Sequence, residues 1–116
     1  FHLEPYKDRT AANVMEWSTY ILRQYGSHPA FYRYNGKGFF YVYDSYQIPT
    51  LAWRAQLQSD AAKDRSAYFV GLILKSSECQ QLNYAGFDAA YSYFAADGFT
   101  DASTSTRWSS ITEECH

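Results

Sequence analysis

The chain has 116 residues, 47% apolar and 19% charged, so it is long enough for one modest domain and too apolar for a disordered segment. Its net charge is −2 and no basic run exceeds two residues, which excludes a surface that follows nucleic-acid phosphates. No apolar run approaches the roughly 20 residues that span a bilayer. We therefore expect no nucleic-acid partner and no membrane contact by this segment.

The first strand and helix are predicted from the opening residues. Residues 1–5 form a short apolar-rich run that ends at Pro5 and is typical of a strand. Thr10 suits a helix N-cap, and apolar residues recur after it at helical spacing. Gly26 ends this helix.

The second strand and helix follow a loop that contains the turn signal Asn35-Gly36. Residues 39–43 are aromatic and β-branched throughout and give the strongest strand signal in the chain. A helix is predicted from about residue 49 to 59, and the polar residues after it form a loop.

Two further strands and two further helices are predicted in the second half. Residues 67–74 form a nearly continuous apolar run, which favours a strand buried on both faces, as in a parallel sheet. A helix is predicted from about 77 to 84 and a strand from 87 to 94. A last helix begins at Ser103 or Thr104.

Strand and helix thus alternate four times, which predicts an α/β fold with parallel strands and right-handed crossovers. A complete (β/α)8 barrel needs about 250 residues, so four βα units amount to about half of a TIM barrel. A short, open flavodoxin-like sheet is the alternative. We treat residues 1–116 as a single partial barrel within a larger catalytic domain.

Ligands of parallel α/β folds lie at the carboxyl ends of the strands, which selects the candidate site residues. Because side chains alternate along a strand, one inward set should lie on the first strand and a comparable one on the second. The first set is His2, Glu4 and Tyr6, followed by Lys7, and the second is Val42, Asp44 and Tyr46. Tyr93 ends the fourth strand.

Each of these candidates also has a structural interpretation. Glu4 could form a surface ion pair with Lys7 or Arg9, Asp44 could cap a turn or helix, and Tyr93 could pack in the core. The excess of tyrosine, 12 of the 116 residues, supports a sugar-binding or protein-binding surface, because a ring face and a hydroxyl occur together.

Other chemistries receive less support. Residues 37–43 look like half of an RNA-recognition RNP1 box, but Phe40 stands where a small residue is needed and Asp44 where an aromatic one is needed. Cys79 and Cys115 fit no metal-ligand spacing, are too few for a disulfide framework, and leave the redox compartment open.

Several longer motifs resemble a known family. They are residues 1–6 (Phe-His-Leu-Glu-Pro-Tyr), 25–33 (Tyr-Gly-Ser-His-Pro-Ala-Phe-Tyr-Arg), 40–46 (Phe-Tyr-Val-Tyr-Asp-Ser-Tyr), 85–88 (Ala-Gly-Phe-Asp) and 91–95 (Tyr-Ser-Tyr-Phe-Ala). In this order they resemble the middle of the endo-α-1,2-mannosidases of glycoside hydrolase family 99.

The resemblance implies a (β/α)8 barrel that cleaves an internal α-1,2-mannosidic bond in glucosylated high-mannose N-glycans. It implies retention through the substrate's own 2-hydroxyl, no cofactor, and in animals a Golgi location. By the same match, Glu4 is expected to bind the reacting mannose, and Tyr46 and Tyr93 to line the sugar subsites. His2, Tyr6, Lys7 and Asp44 join this substrate-binding set through their places at strand ends.

The chain departs from the family pattern in its acids. The two family glutamates that act as base and acid lie in a motif like Asn-Glu-Trp-His-Glu, which does not occur in this sequence. We therefore expect no catalytic residue in this chain and an inactive isolated fragment of a larger hydrolase. The alternative function is a non-catalytic, lectin-like relative that binds mannose glycans in the same aromatic cleft.

Overall fold

The computed structural model describes residues 1–4, 9–59, 66–93 and 96–115, and strands and helices alternate through these ranges. The strands are β1 (His2–Leu3), β2 (Arg33–Tyr34), β3 (Lys37–Val42), β4 (Ala67–Ile73) and β5 (Ala89–Ser92). The helices are α1 (Ala11–Tyr25), α2 (Thr50–Leu57), α3 (Glu78–Ala85) and α4 (Trp108–Glu114). Short 3-10 turns at Ser45–Gln47 and Ser105–Arg107 precede α2 and α4.

The sheet confirms the predicted parallel α/β architecture. Its strand order is β1-β3-β4-β5, and each neighbouring pair is parallel. The register aligns Leu3 with Val42, Val42 with Gly71, and Leu72 with Tyr91. Sequential strands are therefore neighbours with a helix between them, which is the arrangement of a partial barrel.

A short antiparallel strand, β2, was missed in the sequence, which predicted only a loop there. Arg33 pairs with Gly38 and Tyr34 with Lys37 across a two-residue turn. Asn35 and Gly36 both have positive φ, at 48° and 77°, which is the geometry that asparagine and glycine supply in tight hairpins. The hairpin also makes β3 begin at Lys37, two residues earlier than predicted.

The hydrophobic core lies between one face of the sheet and the helices. Thr10 caps α1, as predicted, by accepting a hydrogen bond from the Asn13 N–H at 3.2 Å. The core side chains include Leu3, Phe40, Val42, Phe69 and Ile73 from the strands and Val14, Trp53 and Leu82 from the helices. Helix α3 packs so closely on β4 that a Cβ on Gly71 would lie 2.7 Å from both methyl carbons of Leu82.

The ends of two strands differ from their predicted places. Strand β3 ends at Val42, and beyond it the Ser45 side chain bonds β4 in place of a backbone position. The Ser45 hydroxyl accepts from the Leu72 N–H at 2.7 Å and donates to the Leu72 carbonyl at 3.0 Å. Strand β5 begins at Ala89, two residues later than predicted, because Asp88 turns back to bond the backbone of Phe69.

Cys79 and Cys115 form a disulfide bond, with their Cα atoms 4.9 Å apart. The bond joins α3 to the residue that follows α4, across 36 positions of sequence. Sequence patterns left the state of these cysteines open, and the fold places them together. Among the described helices, none has the length and apolarity to cross a membrane.

Candidate functional site

The face of the sheet opposite the helices carries a connected set of aromatic rings, here called the ring face. It comprises His2, Tyr41, Tyr43, Tyr91 and Tyr93. The His2 and Tyr43 ring centroids lie 5.4 Å apart, those of Tyr43 and Tyr93 5.9 Å, and those of Tyr41 and Tyr91 5.5 Å. All three pairs have edge-on geometry, which aromatic rings favour. The rings come from β1, β3 and β5 or from the residues that follow them, and they form one continuous surface that passes over β4.

A hydrogen bond shows that this surface is concave. His2 Nε2 lies 3.2 Å from the Tyr91 hydroxyl, although His2 is on β1 and Tyr91 on β5, at opposite ends of the strand order. In a flat sheet three strand spacings would separate these backbones by about 14 Å. Because strand side chains stand roughly perpendicular to a sheet, the contact indicates that this sheet curls toward the ring face, as it does in a barrel.

Glu4 lies at the carboxyl end of β1, where the site was expected. It is exposed and directly follows Leu3, which is 6% exposed and lies in the core. Since His2 is also exposed, the alternation predicted for this strand is confirmed at residues 2–4. The Leu3 carbonyl accepts a hydrogen bond from the Tyr43 N–H at 2.8 Å, so Glu4 follows a backbone position that is tied to the ring face.

The inward set predicted on the second strand was wrong in its register. Val42 is fully buried on the helix side, and the strand ends there. Asp44 adopts a left-handed conformation with φ 53°, which breaks the alternation before Tyr46. Tyr43, and not Val42, therefore shares the ring face. Continuing the period of two from Tyr41 to Tyr43 would have found it in the sequence.

Asp44 and Tyr46 nevertheless lie together, in a polar cluster beside the rings. The Asp44 carboxylate accepts hydrogen bonds from Arg9 Nη1 at 2.8 Å, Gln47 Nε2 at 2.8 Å and the Tyr46 hydroxyl at 3.1 Å. Arg9 thus forms its ion pair with Asp44, and Arg9 also donates to Gln47 Oε1 at 2.6 Å. Asp44 begins the Ser45–Gln47 turn without a capping bond from its side chain.

Tyr93 follows β5 and lies at the far end of the ring face. Besides Tyr43, its ring contacts Phe99 at 6.0 Å, and 36% of the residue is exposed. Tyr91 and Phe99 are site residues that sequence reasoning did not select. Two of the predicted residues, Tyr6 and Lys7, lie outside the described residues.

Two of the ring-face hydroxyls, those of Tyr43 and Tyr91, have a raised pKa. The pKa of Tyr91 is raised, first by burial and then by the neighbouring Tyr43, Asp44 and Tyr41. The pKa of Tyr43 is raised by burial, by Tyr93 with its hydrogen bond, and by Asp44. These phenols therefore remain neutral donors and acceptors well above neutral pH.

The chemistry that this surface offers is recognition of polyols. Tyrosine rings can present apolar faces to the C–H groups of a sugar, while their hydroxyls and the exposed Glu4 carboxylate can bond its hydroxyl groups. Across residues 1–4, 9–59, 66–93 and 96–115, no group of three or more His, Cys, Asp or Glu side chains is arranged to hold a metal ion.

Comparisons with known proteins agree with this geometry. The family model described as Glycosyl hydrolase family 99 matches residues 1–116. Glycoprotein endo-alpha-1,2-mannosidase of Mus musculus is 35% identical over 125 aligned residues, which cover 99% of this chain and 27% of that protein. The Xenopus laevis protein of the same name is 36% identical, with 100% of this chain and 28% of that protein covered.

A solved structure matches equally well. The GH99 endo-alpha-mannosidase from Bacteroides thetaiotaomicron, in complex with bis-tris-propane, superposes with a TM-score of 0.89 at 42% identity. The match covers 97% of this chain and 37% of that one, which is a TIM barrel. The chain thus spans between 27% and 28% of the length of these two curated relatives. On the family match and these similarities, the chain belongs to glycosyl hydrolase family 99.

Proposed function

We propose that this chain forms part of the substrate cleft of a longer glycoside hydrolase. The parent enzyme cleaves an internal α-1,2-mannosidic bond in glucosylated high-mannose N-glycans with retention of configuration. The acid and base of the reaction lie outside this chain, because the family's glutamate motif does not occur in it. The isolated chain therefore binds sugar groups weakly and hydrolyses nothing.

The observation that carries this proposal is the concave ring face near the carboxyl ends of the parallel strands β1, β3 and β5. His2, Tyr43 and Tyr93 form a chain of ring contacts across it, and the His2–Tyr91 hydrogen bond joins its outermost strands. In barrels of this type, substrates bind at this end of the strands. The two animal relatives are named for an endo-alpha-1,2-mannosidase activity, which supports the choice of linkage.

Within this cleft we assign Glu4 to the hydroxyls of the reacting mannose and Tyr46 and Tyr93 to the faces and hydroxyls of adjoining sugars. His2 contributes its ring edge between Tyr43 and Tyr91. Tyr6 and Lys7 stay in the proposed substrate-binding set on sequence grounds. Loss of one charged hydrogen bond costs about 1.5–3 kcal/mol, which is about 10- to 150-fold in kcat/KM.

The test is disaccharide release from a glucosylated high-mannose glycan by the complete protein that contains this chain. The Glu4→Gln variant should lose about 10- to 150-fold in kcat/KM. The matched control is Glu16→Gln, since Glu16 is an exposed carboxylate on α1, on the helix side of the sheet. An unmodified protein that releases no disaccharide, or equal effects of the two variants, would disprove the assignment.

A lectin-like relative is the second candidate, and the excess of tyrosine, 12 of the 116 residues, is the observation behind it. Such a protein would use the same rings without hydrolysis. It should bind a mannose oligosaccharide with an affinity that depends on Tyr93 and release no product from it. The presence of both glutamates elsewhere in the complete protein, together with disaccharide release, would exclude this candidate.

For its location we propose an oxidising compartment of the secretory pathway, and the Golgi if the source is an animal. The Cys79–Cys115 disulfide supports this placement, because such bonds persist in oxidising compartments and are rare in the cytosol. Thiol alkylation of the protein taken directly from cells tests it. Modification of both cysteines before any reduction would contradict the proposal.

A further inference from the structure

The polar cluster around Asp44 leaves this carboxylate little room for a ligand of its own. Oδ2 accepts bonds from Arg9 and Gln47, and Oδ1 accepts from the Tyr46 hydroxyl. The Asp44 side chain is only 12% exposed, whereas Tyr46 as a residue is 40% exposed. The group that can reach a ligand is therefore Tyr46, and Asp44 lies behind it.

The direction of the bond between these two residues fixes the chemistry of the tyrosine. An ionised carboxylate can only accept, so Tyr46 must donate its single proton to Asp44. The phenol oxygen then has only lone pairs to offer, and the neighbouring negative charge makes it a stronger acceptor.

We propose that Asp44 is a positioning residue, which turns Tyr46 into an obligatory acceptor for a donating sugar hydroxyl. This inference rests on the proposed function, and it moves Asp44 from the sugar-binding set to a place behind Tyr46. A ligand group without a proton to donate, such as an ether oxygen or a deoxy position, is disfavoured at this point of the cleft.

The backbone of Asp44 makes the proposal testable without loss of the fold. Its φ of 53° lies in the left-handed region, which glycine and asparagine adopt most readily. In Asp44→Asn the side-chain oxygen is expected to face Arg9 and Gln47, which turns the NH2 group toward Tyr46. The Tyr46 oxygen then accepts a hydrogen bond from this NH2 group, and its own proton is directed toward the ligand. In Asp44→Gly the Tyr46 hydroxyl loses its acceptor, so its O–H bond no longer has a fixed direction.

The experiment is a double-mutant cycle in the complete protein, measured as kcat and KM for disaccharide release from a glucosylated high-mannose glycan. We expect Tyr46→Phe and Asp44→Asn each to lower kcat/KM by about tenfold, the value of one hydrogen bond, and Asp44→Gly by a few-fold. Once Tyr46 is Phe, either change at Asp44 should alter kcat/KM by less than about twofold, because no phenol remains to be oriented.

A structural aspartate at the other end of the sheet provides the control. Asp88 accepts a hydrogen bond from the Phe69 N–H at 2.9 Å, near the amino end of β4. Asp88→Asn is expected to reduce thermal stability and to leave kcat/KM within about twofold. A role of Asp44 in folding alone would give this same pattern and overturn the proposal.

The other outcomes are equally decisive. If the fold-losses in kcat/KM of Asp44→Gly and Tyr46→Phe multiply in the double variant, Asp44 does not act through Tyr46. The inference would then fail while the proposed function stood. Unchanged kinetics in both Asp44 variants would also overturn it. If the unmodified protein releases no disaccharide, the proposed function fails first and the inference fails with it.

Discussion

Replacement of Ser45 by alanine is expected to destabilise the fold far more than the loss of one oxygen suggests. Ser45 is 1% exposed and stands where β3 has already ended. Its hydroxyl accepts from the Leu72 N–H at 2.7 Å and donates to the Leu72 carbonyl at 3.0 Å. It thereby replaces the next residue of the β3–β4 ladder.

The magnitude follows from the groups that Ser45→Ala leaves without a partner. In a parallel sheet the N–H and C=O of one residue point to the same neighbouring strand, so both Leu72 groups face the place that Ser45 fills. An unsatisfied buried backbone group costs about 1–3 kcal/mol, and two such groups with partial relaxation give about 2–4 kcal/mol in the free energy of unfolding.

The matched control is Ser18→Ala, which removes the same atom from another buried serine. Ser18 is 2% exposed, and its hydroxyl donates to the Met15 carbonyl at 2.9 Å. That carbonyl also accepts from the Thr19 hydroxyl at 2.8 Å, so it keeps a partner. Because alanine favours helices, Ser18→Ala should change the free energy of unfolding by less than about 0.5 kcal/mol.

Urea unfolding of the complete protein, followed by fluorescence and circular dichroism, measures both variants. A cost for Ser45→Ala below about 0.5 kcal/mol, equal to that of Ser18→Ala, would refute the role of Ser45 as an extension of the ladder. Ser45 lies between Asp44 and Tyr46, so its loss should also lower kcat/KM in the glycan assay.

Three further predictions concern the disulfide, the packing of α3 and the ring-face hydroxyls. Breaking the disulfide in Cys79→Ala should lower the free energy of unfolding by about 3.8 kcal/mol by the loop-entropy relation for 36 residues, as measured by urea unfolding. Gly71→Ala should cost about 1–3 kcal/mol in the same assay, because the new methyl group would overlap Leu82. Stability should also fall as pH rises through about 10, the ordinary tyrosine pKa, because Tyr91 holds its proton more tightly when folded and the unfolded chain loses it first. Tyr91→Phe should lessen this alkaline loss, as followed by unfolding between about pH 8 and 12.

Each of these has its own control. The double variant Cys79→Ala/Cys115→Ala should lose no more unfolding free energy through the missing bond than Cys79→Ala does. A reductant should not change the stability of either variant. Leu82→Ala should relieve part of the Gly71→Ala cost, so strictly additive costs would argue against the overlap. Equal alkaline losses in the unmodified protein and in Tyr91→Phe would contradict the raised pKa.

The parallel sheet was predictable because its signals are local. The apolar run of residues 67–74 and the aromatic run of 39–43 mark strands by composition alone, and Thr10 marks a helix start by its hydroxyl. The helices and strands then alternate in the order that only a parallel sheet accommodates. The alternation of side chains along a strand likewise placed His2 and Glu4 on one side of β1 and Leu3 on the other.

The remaining features depend on contacts between distant positions. Asp44 lies outside the strand, and its carboxylate is held by Arg9, 35 positions away, as well as by the nearby Gln47. No local pattern signals that left-handed residue, so the alternation was wrongly continued through Asp44 to Tyr46. The wrong face for Val42 is a separate error, which the alternation from Tyr41 to Tyr43 could have prevented. The disulfide likewise requires that α3 and α4 pack together, which the spacing of two cysteines does not reveal.

The most direct test of the sugar cleft is the affinity of the complete protein for an α-1,2-linked mannose oligosaccharide, measured by calorimetry. Tyr93→Ala removes a ring from the ring face, while Tyr20→Ala removes an exposed ring from α1. We predict that the dissociation constant rises about tenfold for Tyr93→Ala and less than about twofold for Tyr20→Ala. Equal dissociation constants for the two variants and the unmodified protein would contradict the assignment of the ring face as the glycan-binding surface.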